Sequence, residues 1–241
     1  IENSTVLTWP EGNGWIVKQL LGQLGKQIRK NSLVFRVVPG KRSALVEYFD
    51  VHRQQSTRVE AEQVIVACPR QFARYLLSDV KESAQGTDGF EYAPWMVANL
   101  SLREFPAESG RIPLAWDNVL YDSPSLGYVV ATHQSLQTHI RETVFTYYCP
   151  LTASPVRRER TRLLETTWPS WCEFILKDHG KPHPGIEHLV TRLDVFRWGH
   201  AMARPKPGFI WGQDRQRAAE PISQIRFAHS DLSGFSIFEE A

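Results

Sequence analysis

Val64-Ile65-Val66-Ala67-Cys68-Pro69 is an unbroken apolar run closed by a proline. Such a run predicts a strand buried on both faces, the habit of a parallel sheet, and the proline ends it because it has no N–H to give a ladder. The runs before it are of another kind. Leu33 to Val38, Ala44 to Phe49 and Thr57 to Ala61 are short and β-prone, and turn material such as Pro39-Gly40-Lys41-Arg42-Ser43 separates them. They predict an antiparallel meander that leads into the buried strand, with a helix from about 70 to 77 after the proline.

Upstream, Ile16, Leu20, Leu24 and Ile28 recur every four positions, so residues 14–29 read as a helix with Asn13 as its cap. Trp9-Pro10-Glu11-Gly12-Asn13-Gly14 stands before it, either as an ordinary turn or as a ligand-facing loop. Downstream, the polar stretch 79–92 marks a surface connection and a boundary. Met96 to Leu102, Asn118 to Tyr121, Gly127 to Thr132 and Thr143 to Tyr148 read as strands of a mixed or antiparallel sheet. Residues 155–178 read as a helix broken at Pro169, and Leu189 to Trp198 as another strand. A last apolar strand, Ile225 to Ala228, leads through His229-Ser230-Asp231-Leu232-Ser233-Gly234-Phe235 into a helix expected from Ser236. Strand, polar glycine-containing loop and helix N-terminus, in that order, present backbone N–H groups to an anionic or carbonyl-rich ligand.

Composition narrows the partners. The 28 Lys and Arg against 26 Asp and Glu leave a net charge of +2, which points to neither nucleic acid nor a membrane surface. No apolar run approaches the roughly 18 residues that span a bilayer. Cys68, Cys149 and Cys172 are odd in number and widely spaced, so neither a disulfide framework nor a zinc knuckle is expected, and a reducing, cytoplasmic compartment is. The chain begins with Ile1 and stops soon after a helix begins, which leads us to expect a piece of something longer.

Several residue groups carry possible chemistry. His229, Ser230 and Asp231 are consecutive and cannot form a relay in which the histidine meets its partners from opposite sides. His179, His183 and His188 cluster in a Pro/Gly-rich loop with no carboxylate at helical spacing, so a loop surface and no metal site is expected. Trp198-Gly199-His200 and Phe209-Ile210-Trp211 are aromatic enough to wall a substrate cavity, with core packing as the alternative.

Four stretches together resemble the flavin amine oxidoreductase superfamily, which includes amine oxidases, protoporphyrinogen oxidase and phytoene-desaturase-like enzymes. They are the Pro10-Glu11-Gly12 loop with its helix, the meander containing Val34, the Val64 to Pro69 strand, and residues 225–241. The resemblance implies FAD as cofactor. Val34 resembles the residue whose backbone meets the adenine; Ala67 and Pro69 resemble the strand end beside the cofactor. Ser230, Asp231 and Gly234 fall in the loop near the ribityl chain, and Phe238 in the helix facing the flavin pyrimidine. Asn99 lies in Pro94-Trp95-Met96-Val97-Ala98-Asn99-Leu100, where the family's amine oxidases carry a lysine that this stretch lacks. It is placed with Trp198, His200 and Trp211 in the substrate cavity, and no catalytic residue is assigned.

The glycine-rich dinucleotide motif of that family is missing, so its pyrophosphate site is expected upstream of residue 1. The implied architecture is α+β, with FAD-domain segments at 1–78 and 200–241 and a substrate region at 79–199. The implied activity is hydride removal from a C–H bond of an amine or apolar small molecule to flavin N5. The implied partner is an N-terminal dinucleotide-binding segment, and the alternative is a non-catalytic binding module derived from a flavoprotein.

Overall fold

In a computed structural model, which describes residues 9–81, 86–107, 114–135, 141–153 and 155–237, the chain has the expected α+β composition. It divides into two compact units, Ile1–Gly25 with Ala93–Ala201, and Lys26–Tyr92 with Met202–Ala241. Of the described residues before Lys26, 9–25 group with the central sheet. No helix among the described residues is long and apolar enough to cross a membrane.

The first unit is built on a five-stranded sheet whose strands are β5 (Tyr92–Leu102), β6 (Asp117–Asn118), β7 (Gly127–Val130), β8 (Thr143–Pro150) and β9 (Val190–Ala203), in the order β6-β7-β8-β5-β9. Strict alternation makes the central pair: Met96, Ala98, Leu100 and Leu102 of β5 and Phe145, Tyr147 and Cys149 of β8 all point to one buried face. The antiparallel register sets Ala98 opposite Tyr147 and Leu100 opposite Phe145. Helices α3 (Val156–Glu165) and α4 (Trp168–His179) close that face with Leu163, Trp171 and Ile175. Each of those side chains contributes about 2 to 3 kcal/mol by leaving water.

Three local expectations are corrected here. The helical stretch breaks at Thr166 and Thr167 rather than at Pro169. Pro169 sits in the first turn of α4, where its missing N–H has no helical acceptor to lose, and Thr167 caps the helix by accepting from the Ser170 N–H. Helix α1 (Asn13–Leu24) stops at Gly25, short of Ile28, because Gly25 turns to a φ of 49°. Its cap position is Gly12; Asn13 is already helical and makes no side-chain cap. No residue of α1 is buried, so Val17, Leu20, Leu21 and Leu24 form an exposed apolar stripe.

The second unit holds the expected antiparallel meander β1 (Ser32–Pro39), β2 (Ala44–Asp50) and β3 (Gln55–Ala61). Beside it lie helix α2 (Arg70–Leu76) and a parallel pair, β4 (Val64–Val66) with β10 (Ile225–Phe227). Val37, Ala44, Val66, Ala73, Leu77 and Ile225 make the core that joins meander, helix and parallel pair. The apolar run that opened the sequence reading is covered on one face only: Val66 is 6% exposed but Ile65 is 66% exposed. Helix α5 (Gln213–Ala219) was not anticipated, since it buries a single residue, Ala218, and has no apolar period to read.

Gly127 fixes the β6–β7 hairpin. Its φ is 102°, and a Cβ there would stand 1.9 Å from the Asn118 carbonyl oxygen. Gly127→Ala should destabilise the protein by about 3 kcal/mol, from strain and the displaced carbonyl together. A urea midpoint equal to that of the unmodified chain would contradict this packing.

Candidate functional site

The parallel pair sets the site. Val64 N–H donates to the Gln224 carbonyl at one end and Ala228 N–H to the Val66 carbonyl at the other, at 3.1 Å each. Both strands therefore run out at the same edge, β4 into Ala67-Cys68-Pro69 and β10 into His229 and the turn Ser230–Ser233. The carboxyl ends of parallel strands are where open α/β sheets bind their ligands. Ala67 is exposed there, and Pro69, with φ at −48°, starts α2.

The two strand ends are held by groups that sequence reasoning did not single out. Arg70, buried at the start of α2, donates from Nε to the Ala218 carbonyl at 2.9 Å and lays its guanidinium over the Phe227 ring at 4.2 Å. Burial holds its pKa below the usual range for arginine, against the raising influence of Tyr92 and Cys68. Arg215 of α5 donates to the carbonyls of Ile210 and Leu232, so the Ser230–Ser233 turn hangs on α5. The only signal for Arg70 in the sequence was its place directly after Pro69; for Arg215 there was none.

Asp231 is 2% exposed, and both of its oxygens have protein partners. Oδ2 accepts from the Tyr92 hydroxyl at 2.8 Å, and Oδ1 accepts from Ser236 Oγ at 3.2 Å, which itself accepts from the Ala203 N–H. Burial first, then the neighbouring carboxylate, pushes the Tyr92 hydroxyl well above its ordinary range, so it stays a donor. His229 Nδ1 accepts from the Asp231 N–H, which caps the turn. Gly234 follows with φ at 89°, and a Cβ on it would come within 3.3 Å of Ile210 and Arg215. Ala67, Pro69, Ser230, Asp231 and Gly234 are thus brought to one edge, while Phe238 lies outside the described residues.

Val34 lies in the meander, exposed, at a bulge where Val34 faces Tyr48 and Arg36 faces Glu47, so that Phe35 is the extra residue. The remaining candidates are spread over both units. Asn99 lies on the β5 face away from the core and accepts from Thr146 Oγ1 at 3.0 Å. Trp198 and His200, two apart on β9, and Trp211 are all exposed, with Trp211 in the other unit.

Two of the three clustered histidines are not loop surface. His179, the last residue of α4, is 0% exposed, and His183 is buried behind it; only His188 is exposed. They belong to a polar network under the sheet. His183 Nε2 pairs with the Tyr128 hydroxyl at 2.5 Å, while Asp178 Oδ2 accepts from Ser123, Ser125 and Tyr147 at 2.6, 3.1 and 2.8 Å. Burial pushes the Asp178 carboxyl up, but the hydroxyls of Ser123, Tyr147 and Ser125 and the Lys181 ammonium outweigh it and leave the pKa lowered.

His179 donates from Nδ1 to the Ile175 carbonyl at 3.0 Å, and no described group meets its Nε2. Tyr128, Tyr147, Phe145 and His183 ring it, and burial drives its pKa down to about 4, with Asp178 opposing and His183 assisting. The unfolded chain binds the proton first as pH falls, so this stability is whole above about 6.5 and is lost toward pH 4, about 3 kcal/mol in all. Denaturant titrations between pH 7 and 4 should show the loss, and His179→Gln should flatten it. An unchanged slope in the variant would place the titrating group elsewhere.

No protein-family model matches the sequence, and a search of curated proteins found no match. Solved structures do resemble the fold. A putrescine oxidase matches with a TM-score of 0.67 at 14% identity, over 93% of this chain and 49% of its own. A cyclohexylamine oxidase from Brevibacterium oxydans IH-35A matches with 0.64 at 12%, over 93% and 49%. A fatty acid isomerase from P. acnes matches with 0.63 at 14%, over 97% and 50%. The chain spans about half the length of each, and over that half it shares their fold.

Proposed function

We propose that the chain is the part of an FAD-dependent oxidoreductase that receives the ribityl and ring end of the cofactor and carries the substrate region. The observation that supports this most is the edge where β4 and β10 end together in Pro69 and the Ser230–Gly234 loop. The residues there suit approach by a ligand: Ala67 is small and exposed, and Gly234, at positive φ, lets the loop close against Ile210 and Arg215. They offer no cradle of glycines for a pyrophosphate, which in this reading belongs to a strand-turn-helix segment preceding the chain. A parallel pair of three-residue strands is itself short of neighbours, since isolated two-stranded sheets are marginal and parallel ones usually lie covered inside larger sheets.

When bound, FAD supplies at its flavin N5 an acceptor for a hydride leaving a substrate C–H bond. This chain's own contribution is position and environment. Val34, beside its bulge, offers backbone to the adenine; Ala67 and Pro69 flank the cofactor; Ser230 and Gly234 approach the ribityl chain. Asp231, with its oxygens engaged by Tyr92 and Ser236, acts by holding that loop in place. Asn99, with the half-buried face of β5 and β8, and Trp198 and His200 of the same unit are assigned to the substrate region, suited to an apolar or amine small molecule. A cytoplasmic location accords with three free cysteines.

The 241-residue chain should purify colourless, and a version extended upstream through a strand, GxGxxG and helix should purify yellow. In the extended protein, Asp231→Ala should weaken FAD retention by about 1 to 3 kcal/mol through the loosened loop. Stoichiometric flavin on the unextended chain would move the cofactor site. An extended protein without flavin would instead support a non-catalytic module.

A further inference from the structure

The meander has a feature that the flavin reading leaves unused. At the end where β1 begins and β2 turns into β3 there is a cleft of about 520 Å³, whose walls include Arg29, Lys30, Tyr48, Asp50, His52 and Arg53. The sheet itself brings them together. Ser32 and Asp50 are the last register partners, and one step beyond them the Val51 N–H donates to the Asn31 carbonyl at 2.9 Å, so residues 29–31 and 51–53 lie side by side. Asn31 and Gln54 hold positive φ angles of 56° and 53° at the two ends of this wall, conformations uncommon for residues other than glycine.

The charges in the cleft do not balance. Arg29, Lys30 and Arg53 bring three permanent positive charges, and Asp50 brings the one carboxylate. Asp50 is committed to its turn: Oδ1 accepts from the N–H groups of His52 and Arg53 at 3.0 and 2.9 Å, and Arg53 Nε lies 3.9 Å from Oδ2. Arg29 is anchored by donating from Nη1 to the buried Tyr48 hydroxyl at 3.0 Å, which leaves the rest of its guanidinium fork for another acceptor. The chain as a whole carries only +2, so a basic average does not account for three cations around one cleft. Thr57 adds a hydroxyl to the lining, and Ser32 Oγ, also in the lining, donates to the Lys30 carbonyl at 3.3 Å.

We propose that this cleft binds a phosphate dianion, free or as the phosphoryl end of a small organic molecule. Phosphate suits it better than a single carboxylate does, because two negative charges and several oxygens can meet a guanidinium fork, an ammonium and the Thr57 hydroxyl together. In the flavin reading the pyrophosphate belongs to a segment preceding this chain and the adenine to Val34, two residues along β1 from Ser32, so the cleft is probed with phosphates that carry no adenine.

The test is titration of the 241-residue chain with inorganic phosphate and, separately, glucose 6-phosphate, which carries no adenine, at low salt, followed by amide chemical shifts. Saturable shifts should gather at residues 29–32 and 50–57. Lys30→Ala and Arg53→Ala should each weaken binding about threefold and together about tenfold, and Asp50→Asn, which keeps the turn acceptor, should tighten it by a similar factor. Arg53→Lys should restore part of the loss, and thermal melts should show the variants folded, since Arg53 projects into solvent. A stronger response to the sugar phosphate identifies an organic phosphate as the ligand; equal responses identify free phosphate. Shifts scattered over the surface, or the same weakening from Lys177→Ala on the exposed side of α4, would overturn the site.

Discussion

Residues that lie far apart in sequence, 64–66 and 225–227, are joined by a parallel ladder only three residues long, and the candidate site follows from that pairing. Without it the Ala67–Pro69 turn and the Ser230–Gly234 loop would have no reason to meet. Their meeting is enforced from several sides: Ile225 and Val66 enter one core with Ala73 and Leu77, Arg70 reaches α5 and stacks on Phe227, and Arg215 holds the turn by its carbonyls. A short ladder with this much cross-bracing places loops closely while contributing little ladder energy of its own. Asp231 completes the bracing from inside, since a buried carboxylate tolerates its position only when its oxygens are engaged, and Tyr92 and Ser236 engage them.

Much of the fold was legible because its signals are periodic. Alternation over Met96 to Leu102 and Thr143 to Cys149 places the core face of the central sheet, and the unbroken Val64 to Val66 run stands out from the meander before it. What was illegible has physical reasons. The end of α1 depends on Gly25 turning to positive φ, a choice that the four-residue recurrence through Ile28 concealed. Helix α5 is polar all round and exists because Arg215 and Ala218 have partners distant in sequence. Burial of His179 and His183 could not be read from a Pro/Gly-rich neighbourhood; the clue was the apolar period of α4 running up to them.

The site was legible in a narrower sense. Composition and spacing put the Ser230–Gly234 loop after a strand, but the bond pattern of Asp231 is tertiary: its partners Tyr92 and Ser236 come from a distant strand and the following segment. A fold shared with oxidases of putrescine and cyclohexylamine and with an isomerase of fatty acids carries no single substrate. The stretch Pro94 to Leu100 carries no lysine, and Asn99 lies on the face of β5 away from the core.

Hydrogen–deuterium exchange on an upstream-extended protein, compared with FAD removed and restored, tests the central claim most directly. The account predicts that flavin slows exchange at residues 67–70 and 229–236, where the two parallel strands end, because bound cofactor both covers these amides and suppresses opening of the ladder. Protection confined to other segments, with these two edges exchanging alike in both states, would contradict it.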